Sequence, residues 1–297
     1  MKRITGISEE EFENAALELV RRTSATLPDD VVEAIKRSRE MEVPGSRAQR
    51  ALDSILKNIE MAERDSRPIC QDTGTVIFDV HYPFGLRQST IEGLIKSAVR
   101  KATSNHYLRP NVVDPISGAP KPDNVGRGHP AIYFDQWDED YIKINLVLKG
   151  GGCENVGAQY ALPYSALVAG RDINGIKKVV LDAVVKAQGK GCAPGILGIG
   201  VGGDRAQSYS LSKKQLIRKL GDTNPDPVMA DLEQWAVEKS NELGIGPMGF
   251  GGKTTLLGAK GAVMDTIPAS YFVSVTYMCW AYRRRAMTIK GGKVDYD

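Results

Sequence analysis

A chain of 297 residues with 42% hydrophobic and 25% charged side chains is long enough to bury a substantial core, and this balance excludes disordered and coiled-coil architectures. Its 39 basic and 36 acidic residues leave a net charge of +3, too even a mixture for a polyanion-binding surface, so no nucleic-acid partner is expected. No segment approaches the roughly 20 apolar residues of a bilayer span, and the amino terminus lacks the apolar run of a secretory signal. A soluble, cytoplasmic protein without a membrane partner is the expectation.

In chain order, the elements begin with helices. Ser8 and Glu11 form a capping-box pair, after which Phe12, Ala15, Ala16, Leu19 and Val20 recur on one helical face. Pro28, Asp29 and Asp30 open a second helix over Val31, Val32 and Ile35, and Ala48, Ala51, Leu52, Ile55 and Ile59 mark a third. Residues 1–68 thus read as a helical N-terminal module. After Cys70, Val76, Phe78 and Val80 alternate as in a half-buried strand, and Ile91, Leu94, Ile95 and Val99 restore helical spacing. A Pro- and Gly-rich stretch from Pro110 to Pro130 then interrupts regular structure, as either a functional loop or a surface excursion.

Ile142, Ile144, Leu146 and Leu148 alternate in a strand that ends at Gly150-Gly151-Gly152. Ile173, Ile176, Val180, Ala183 and Val184 mark another helix, Ile196 to Val201 reads as a short buried strand, and helices follow near 211–220 and 226–243. Leu256 to Met264 and Tyr271 to Met278 are strand-like, and Gly291-Gly292 suits a hairpin turn. The class expected is α/β, of mixed α+β kind. One domain spans 1–297, and its 69–297 part combines mixed sheets with helices.

Two glycine runs invite nucleotide readings. Gly198-Ile199-Gly200-Val201-Gly202-Gly203 satisfies G-x-G-x-x-G, yet the βαβ unit that should follow is missing, and a turn serving close packing competes with it. Gly246 to Thr255 resembles a phosphate loop, but Pro247 stands where the motif needs glycine, and a helix terminus rather than a strand precedes it. A P-loop-like nucleotide-binding protein is therefore the alternative from another class. The loop can still aim backbone N–H groups and Lys253 at an anionic substrate.

The four cysteines, Cys70, Cys153, Cys192 and Cys279, are far apart in a chain too large to need disulfide staples, which favours reduced thiols. Their spacing leaves ligand, nucleophile and buried side chain all open. Cys70 precedes the polar turn Gln71-Asp72-Thr73-Gly74, Cys192 sits among Gly191, Ala193, Pro194 and Gly195, and Cys279 ends an apolar strand ahead of Arg283, Arg284 and Arg285. Thiols at turns with cationic neighbours are stabilised as thiolates.

Five blocks then stand in one order: Cys-Gln-Asp-Thr-Gly at 70–74, Lys-Gly-Gly-Gly-Cys-Glu-Asn at 149–155, Gly-Ile-Gly-Val-Gly-Gly at 198–203, Gly-Pro-Met-Gly-Phe-Gly-Gly-Lys-Thr-Thr at 246–255 and Cys-Trp-Ala-Tyr-Arg-Arg at 279–284. Together they resemble the class I fumarases and the L-tartrate dehydratase α subunits over nearly the whole chain. That resemblance implies a 4Fe-4S cluster between lobes, held by thiolates matching Cys70, Cys192 and Cys279, with one iron left open as a Lewis acid. Cys153 is then the spare thiol, a wall residue of the glycine turn.

The resemblance also implies that Gln71 and Asp72 face the substrate, with Asp72 as proton donor to the leaving hydroxyl; bracing the Thr73-Gly74 turn is the plainer role for that side chain. Arg109 matches a carboxylate clamp, a task suited to a planar guanidinium, and the backbone of Gly151 and Gly152 matches a turn touching the same ligand. One departure is Ile267, in Ile267-Pro268-Ala269-Ser270, where relatives carry histidine. His81, His106 and His129 do not replace it by position.

The activity so implied is reversible hydration of fumarate to L-malate, a tricarboxylic acid cycle step. L-tartrate dehydratase or another C4-diacid hydro-lyase subunit is the alternative, and a degenerate, non-catalytic paralogue is a third reading made conceivable by Ile267. The family's fused members carry a further domain with the catalytic base. A separate β subunit is therefore expected to complete the site, in an α2β2 assembly acting on a small dicarboxylate.

Overall fold

The structure is a computed structural model and describes residues 3–297. Its first elements are β1 (Arg3–Ile4), β2 (Ile7–Ser8), α1 (Glu9–Ala25), α2 (Asp29–Met41), α3 (Arg47–Asp65), β3 (Thr75–Pro83), α4 (Gln88–Ser104), β4 (Ala131–Trp137) and β5 (Ile142–Lys149). They are followed by α5 (Gly151–Asn155), β6 (Ala158–Ala161), α6 (Ile173–Ala187), β7 (Gly195–Val201), α7 (Arg205–Lys214), α8 (Pro227–Glu242), β8 (Leu256–Val263), β9 (Phe272–Met278), β10 (Arg284–Lys290) and β11 (Lys293–Tyr296). This is the mixed α/β class expected from the alternation of periods. Among the described residues, no helix is long and apolar enough to cross a membrane.

Two compact units are present. The first comprises the N-terminal stretch through Pro28, Asn58–Gly150 and Arg283–Asp297; the second comprises Asp29–Lys57 and Gly151–Tyr282. The helices of the N-terminal stretch are accordingly divided, α1 with the first unit and α2 with the second.

In the first unit the sheet order is β11-β10-β5-β3-β4, antiparallel except for β3 beside β4. A parallel neighbour needs a crossover, and α4 supplies it. The Ser8 hydroxyl accepts the Glu11 N–H while Glu11 Oε2 accepts the Ser8 N–H at 2.7 Å, which fixes the start of α1. Phe12, Leu19 and Val20 of α1, with Ile91, Ile95 and Val99 of α4, then share one apolar cluster with Val76, Phe78 and Val80 of β3 and Ile142, Ile144, Leu146 and Leu148 of β5. The period of two puts Asp79 and Asn145 on the opposite side, paired across β3 and β5 and themselves buried. The expected hairpin joins β10 to β11 through Gly291-Gly292.

The stretch from Pro110 to Pro130 lacks regular elements but is internally bonded. Asn124, only 3% exposed, accepts the N–H groups of Asn111 and Val112 and donates to the Arg109 carbonyl and the Thr103 hydroxyl. One buried amide thereby satisfies the backbone of the loop that carries Arg109.

The sheet of the second unit runs β6-β9-β7-β8, with β7 and β8 parallel. Every residue of β7 is buried, and its glycines have a packing reason: a Cβ on Gly198 would lie 2.0 Å from the Ser212 carbonyl oxygen, and one on Gly200 2.3 Å from that of Ser208. Backbone of α7 thus lies directly on β7, and Ser208 and Ser212 bond across to Ser274 and Thr276 of β9. The G-x-G-x-x-G run is a close-packing device here, the second of its two sequence readings.

Candidate functional site

In the first unit, Cys70 opens a turn held from both sides. Upstream, buried Ile69 bonds through its N–H to the Ser24 carbonyl and through its carbonyl to Asn58 Nδ2. Downstream, the buried Thr73 hydroxyl accepts the Arg109 N–H at 3.1 Å and Asn111 Nδ2 at 3.2 Å. Asp72 Oδ1 accepts the Gly74 N–H at 2.9 Å, an Asx-type bond that orients the carboxyl. Gly74, at φ +80, has no room for a Cβ, which would meet the Lys149 carbonyl at 2.6 Å.

Arg109 and Gln71, both exposed, come together in this arrangement. Arg109 Nη1 lies 3.2 Å from Gln71 Oε1 and 3.4 Å from its carbonyl oxygen. A guanidinium so aligned, next to a half-buried carboxyl at Asp72, is equipped to receive a carboxylate. Sequence reasoning paired these residues only through the family resemblance; the bonds through Thr73 and Asn124 that make them neighbours carry no motif.

In the second unit, Cys192 and Cys279 are brought side by side. Cys192 adopts a left-handed conformation at φ 57, its N–H bonds to the Gly189 carbonyl, and its own carbonyl accepts the Trp280 N–H at 3.2 Å. Cys279 follows directly on β9. Burial pushes the Tyr277 hydroxyl pKa well up, and the adjacent thiols of Cys279, Cys153 and Cys192 push it the same way. Three of the four thiols therefore lie near enough to one phenol to act on it, and Cys153, read from the sequence as a wall residue, is among them. The ring lies so close to the Cys192 turn that a Cβ on Gly191 or Gly195 would come within 2.5 Å of it.

Gly151 and Gly152, both exposed, form the first turn of the short α5 rather than an open glycine turn. Their spacing alone gave no helical signal, because glycine has little helix preference of its own. The loop from Gly246 to Thr255 differs from expectation more sharply. Its backbone donors are aimed at a side chain of the protein itself: Glu42, 3% exposed, accepts the Lys253 N–H on both carboxylate oxygens at 2.9 and 3.0 Å and the Thr254 N–H at 3.0 Å.

A nest of N–H groups filled by an internal carboxylate is not a phosphate cradle, and the nucleotide reading loses its physical basis. Lys253 itself projects as an exposed side chain. The loop instead braces the thiol turn, since the Met248 N–H bonds to the Ala193 carbonyl at 2.8 Å and Gly249 packs on Gly189.

Elsewhere, Asp79, His81 and Asp135 offer one ligand atom each within 4.8 Å of one another, a grouping the sequence does not advertise because it is made by strand pairing. His81 Nε2 is 2.8 Å from Asp79 Oδ2, which also accepts Asn145 Nδ2 at 3.1 Å. His129 Nδ1 lies 2.8 Å from the Asn124 carbonyl oxygen and helps to hold its own loop. Ile267 is 66% exposed, and the carbonyls of Pro268 and Ala269 are held by Arg171.

The chain is thus a mixed α/β protein in which Gln71, Asp72 and Arg109 stand on one bonded turn and loop, and Cys192 and Cys279 lie at turns held by backbone bonds. A family model described as Fumarate hydratase (Fumerase) matches residues 13–288, and the chain belongs to that family. It is 47% identical over 283 residues to a Geobacillus stearothermophilus protein assigned as fumarate hydratase class I, covering 94% of this chain and 55% of that relative. It is 36% identical over 282 residues to a Methanocaldococcus jannaschii protein assigned as L(+)-tartrate dehydratase subunit alpha, covering 97% of it. It is also 29% identical over 271 residues to the L(+)-tartrate dehydratase subunit alpha of Escherichia coli K12, covering 86% of it. The chain thus spans about half of the first relative and most of the other two.

Proposed function

We propose that this chain is the α component of an iron-sulfur hydro-lyase that hydrates fumarate to L-malate reversibly, with Cys70, Cys192 and Cys279 as thiolate ligands of a 4Fe-4S cluster. The observation that carries the reading is the joining of Cys192 and Cys279 through the Trp280 N–H, with both thiols acting on Tyr277. The donor set fits the group: soft sulfur ligands, each at a turn whose backbone is already bonded, suit iron-sulfur ligation. When bound, the cluster supplies a Lewis-acidic iron for the substrate hydroxyl and a neighbouring carboxylate.

The remaining steps belong to the chain's own groups. Arg109, aligned on Gln71, binds a substrate carboxylate through its fork. Asp72, oriented through Oδ1, carries on Oδ2 the proton that passes to the leaving hydroxyl, releasing water. Lys253, with the backbone of Gly151 and Gly152, adds contacts to the dianion. A β subunit supplies the base that removes the carbon-bound proton, in an α2β2 assembly; relatives named as alpha subunits, spanned almost end to end by this chain, support that division. Fumarate is placed ahead of tartrate because identity is higher to the relative assigned as a fumarate hydratase.

The test is anaerobic reconstitution with iron and sulfide, followed by iron analysis and a panel of fumarate, mesaconate and tartrate with and without the β subunit. About four irons per chain are expected, by the cluster type, with loss in Cys70→Ser, Cys192→Ser and Cys279→Ser and retention in Cys153→Ser. Iron uptake unaffected by the first three substitutions would overturn the ligand assignment, and full activity of the chain alone would overturn the need for a β subunit.

A further inference from the structure

Arg283 is the largest fully buried side chain among the described residues, at 1% exposure. Its backbone carbonyl accepts the Leu148 N–H at 3.0 Å, anchoring it against β5. Its Nη1 donates to the Asp72 carbonyl at 2.8 Å, while its Nε has no partner. Among the described residues, no carboxylate forms an ion pair with it. Nη2 and the Asp72 carboxylate approach the same spot from two sides: a Cβ built on Gly150 would lie 3.2 Å from Asp72 Oδ2 and 3.7 Å from Arg283 Nη2.

A guanidinium stays protonated in proteins and presents five donors in a rigid fork, so burial with one carbonyl partner leaves its charge without a paired carboxylate and its Nε donor orphaned. Removing such a charge from water is costly unless an anion repays it. An ordinary structural arginine binding a backbone carbonyl would be paired or would snorkel to solvent. We propose that Arg283 is a positioning residue whose buried charge is reserved for an anion seated at the Cys70–Asp72 turn. This inference rests on the proposed function for the identity of that anion, which is either the thiolate-ligated cluster or a carboxylate of the diacid. The guanidinium holds the Asp72 carbonyl from one side and meets the anion with its remaining donors.

The experiment compares the wild-type chain with Arg283→Met and Arg283→Lys by thermal unfolding, metal-free and after anaerobic loading with iron and sulfide, each with and without fumarate. In the metal-free state Arg283→Met is expected to melt no lower than wild type, because losing an unpaired buried cation offsets losing the Asp72 contact. On loading, the rise in melting temperature seen in wild type is largely lost in Arg283→Met and kept in Arg283→Lys.

If the rise with iron and sulfide is the one lost, the anion is the cluster, and its reduction potential becomes more negative in the Met variant. If instead the rise with fumarate is lost, the anion is the diacid, and KM increases while the potential stays put. Equal destabilisation of metal-free and loaded forms, or failure of Arg283→Met to fold, overturns the proposal in favour of a purely structural arginine. A wild-type chain that takes up no iron defeats the proposed function separately; Arg283 is then decided by fumarate alone, and no fumarate-induced rise overturns it as well.

Discussion

Glu42 is where the structure makes its most quantitative demand. Substituting Glu42→Ala removes the acceptor of two backbone donors at once, the Lys253 N–H at 2.9 and 3.0 Å and the Thr254 N–H at 3.0 Å. Stranding a buried donor costs about 1–3 kcal/mol, toward the upper end when the lost partner was charged, so the pair costs about 4 kcal/mol. For a chain of this size that is a fall of about 10 °C in melting temperature. Glu42→Gln keeps one carbonyl oxygen able to serve both donors and turns an amide toward the Lys253 N–H, so about 1–2 kcal/mol is expected.

The damage is directional. The same loop supports the Cys192 turn through the Met248 N–H on the Ala193 carbonyl, so faster hydrogen exchange is expected at Lys253 and Thr254 first and at Met248 next. Thermal unfolding by circular dichroism, with exchange read by mass spectrometry, measures both effects. An alanine variant that melts with wild type, or a glutamine variant less stable than the alanine one, would refute the reasoning.

Two glycines should respond in opposite senses to alanine. In Gly195→Ala the new Cβ would stand 2.3 Å from Tyr277 Cζ, and overpacking of about 1–3 kcal/mol is expected in denaturant unfolding, whereas Gly93→Ala, with nothing within 4 Å in mid-α4, should stabilise by about 0.5–1 kcal/mol. Glu233→Ala leaves Arg218, Asn224 and the Gly261 N–H without their shared carboxylate oxygen beside buried Lys260, and a loss of about 3–5 kcal/mol is expected by the same assay.

Arg21, with Arg22, holds the Glu18 carboxyl down to about 2 from the ordinary 4.5. A depressed carboxyl contributes stability above its unfolded pKa and loses it as pH falls through the folded one. The melting gap between wild type and Glu18→Gln should therefore be full above pH 4.5 and close toward pH 2. Solvent screening limits that gap to about 1 kcal/mol, and a gap that widens on acidification would contradict the assignment.

Periodicity in the sequence was enough for what depends on neighbours along the chain. The capping box at Ser8, the apolar face of α1, the alternation of β5, the buried run of β7 and the hairpin at Gly291-Gly292 each rest on contacts a few residues apart, and the structure has them all. The order of the cysteine and glycine blocks was legible too, and it carried the family.

Tertiary structure decided the rest, because the deciding contacts join distant positions with no shared motif. Glu42 fills the loop at Lys253 from over two hundred residues away, and Asp72 receives Arg283 across a similar interval. Cys153, read as a wall residue on its sequence context, is buried near Met278 and acts with Cys192 and Cys279 on the Tyr277 hydroxyl. Local propensity says which residues become strand or helix; only the energy of burying charges and donors together says which of them must meet.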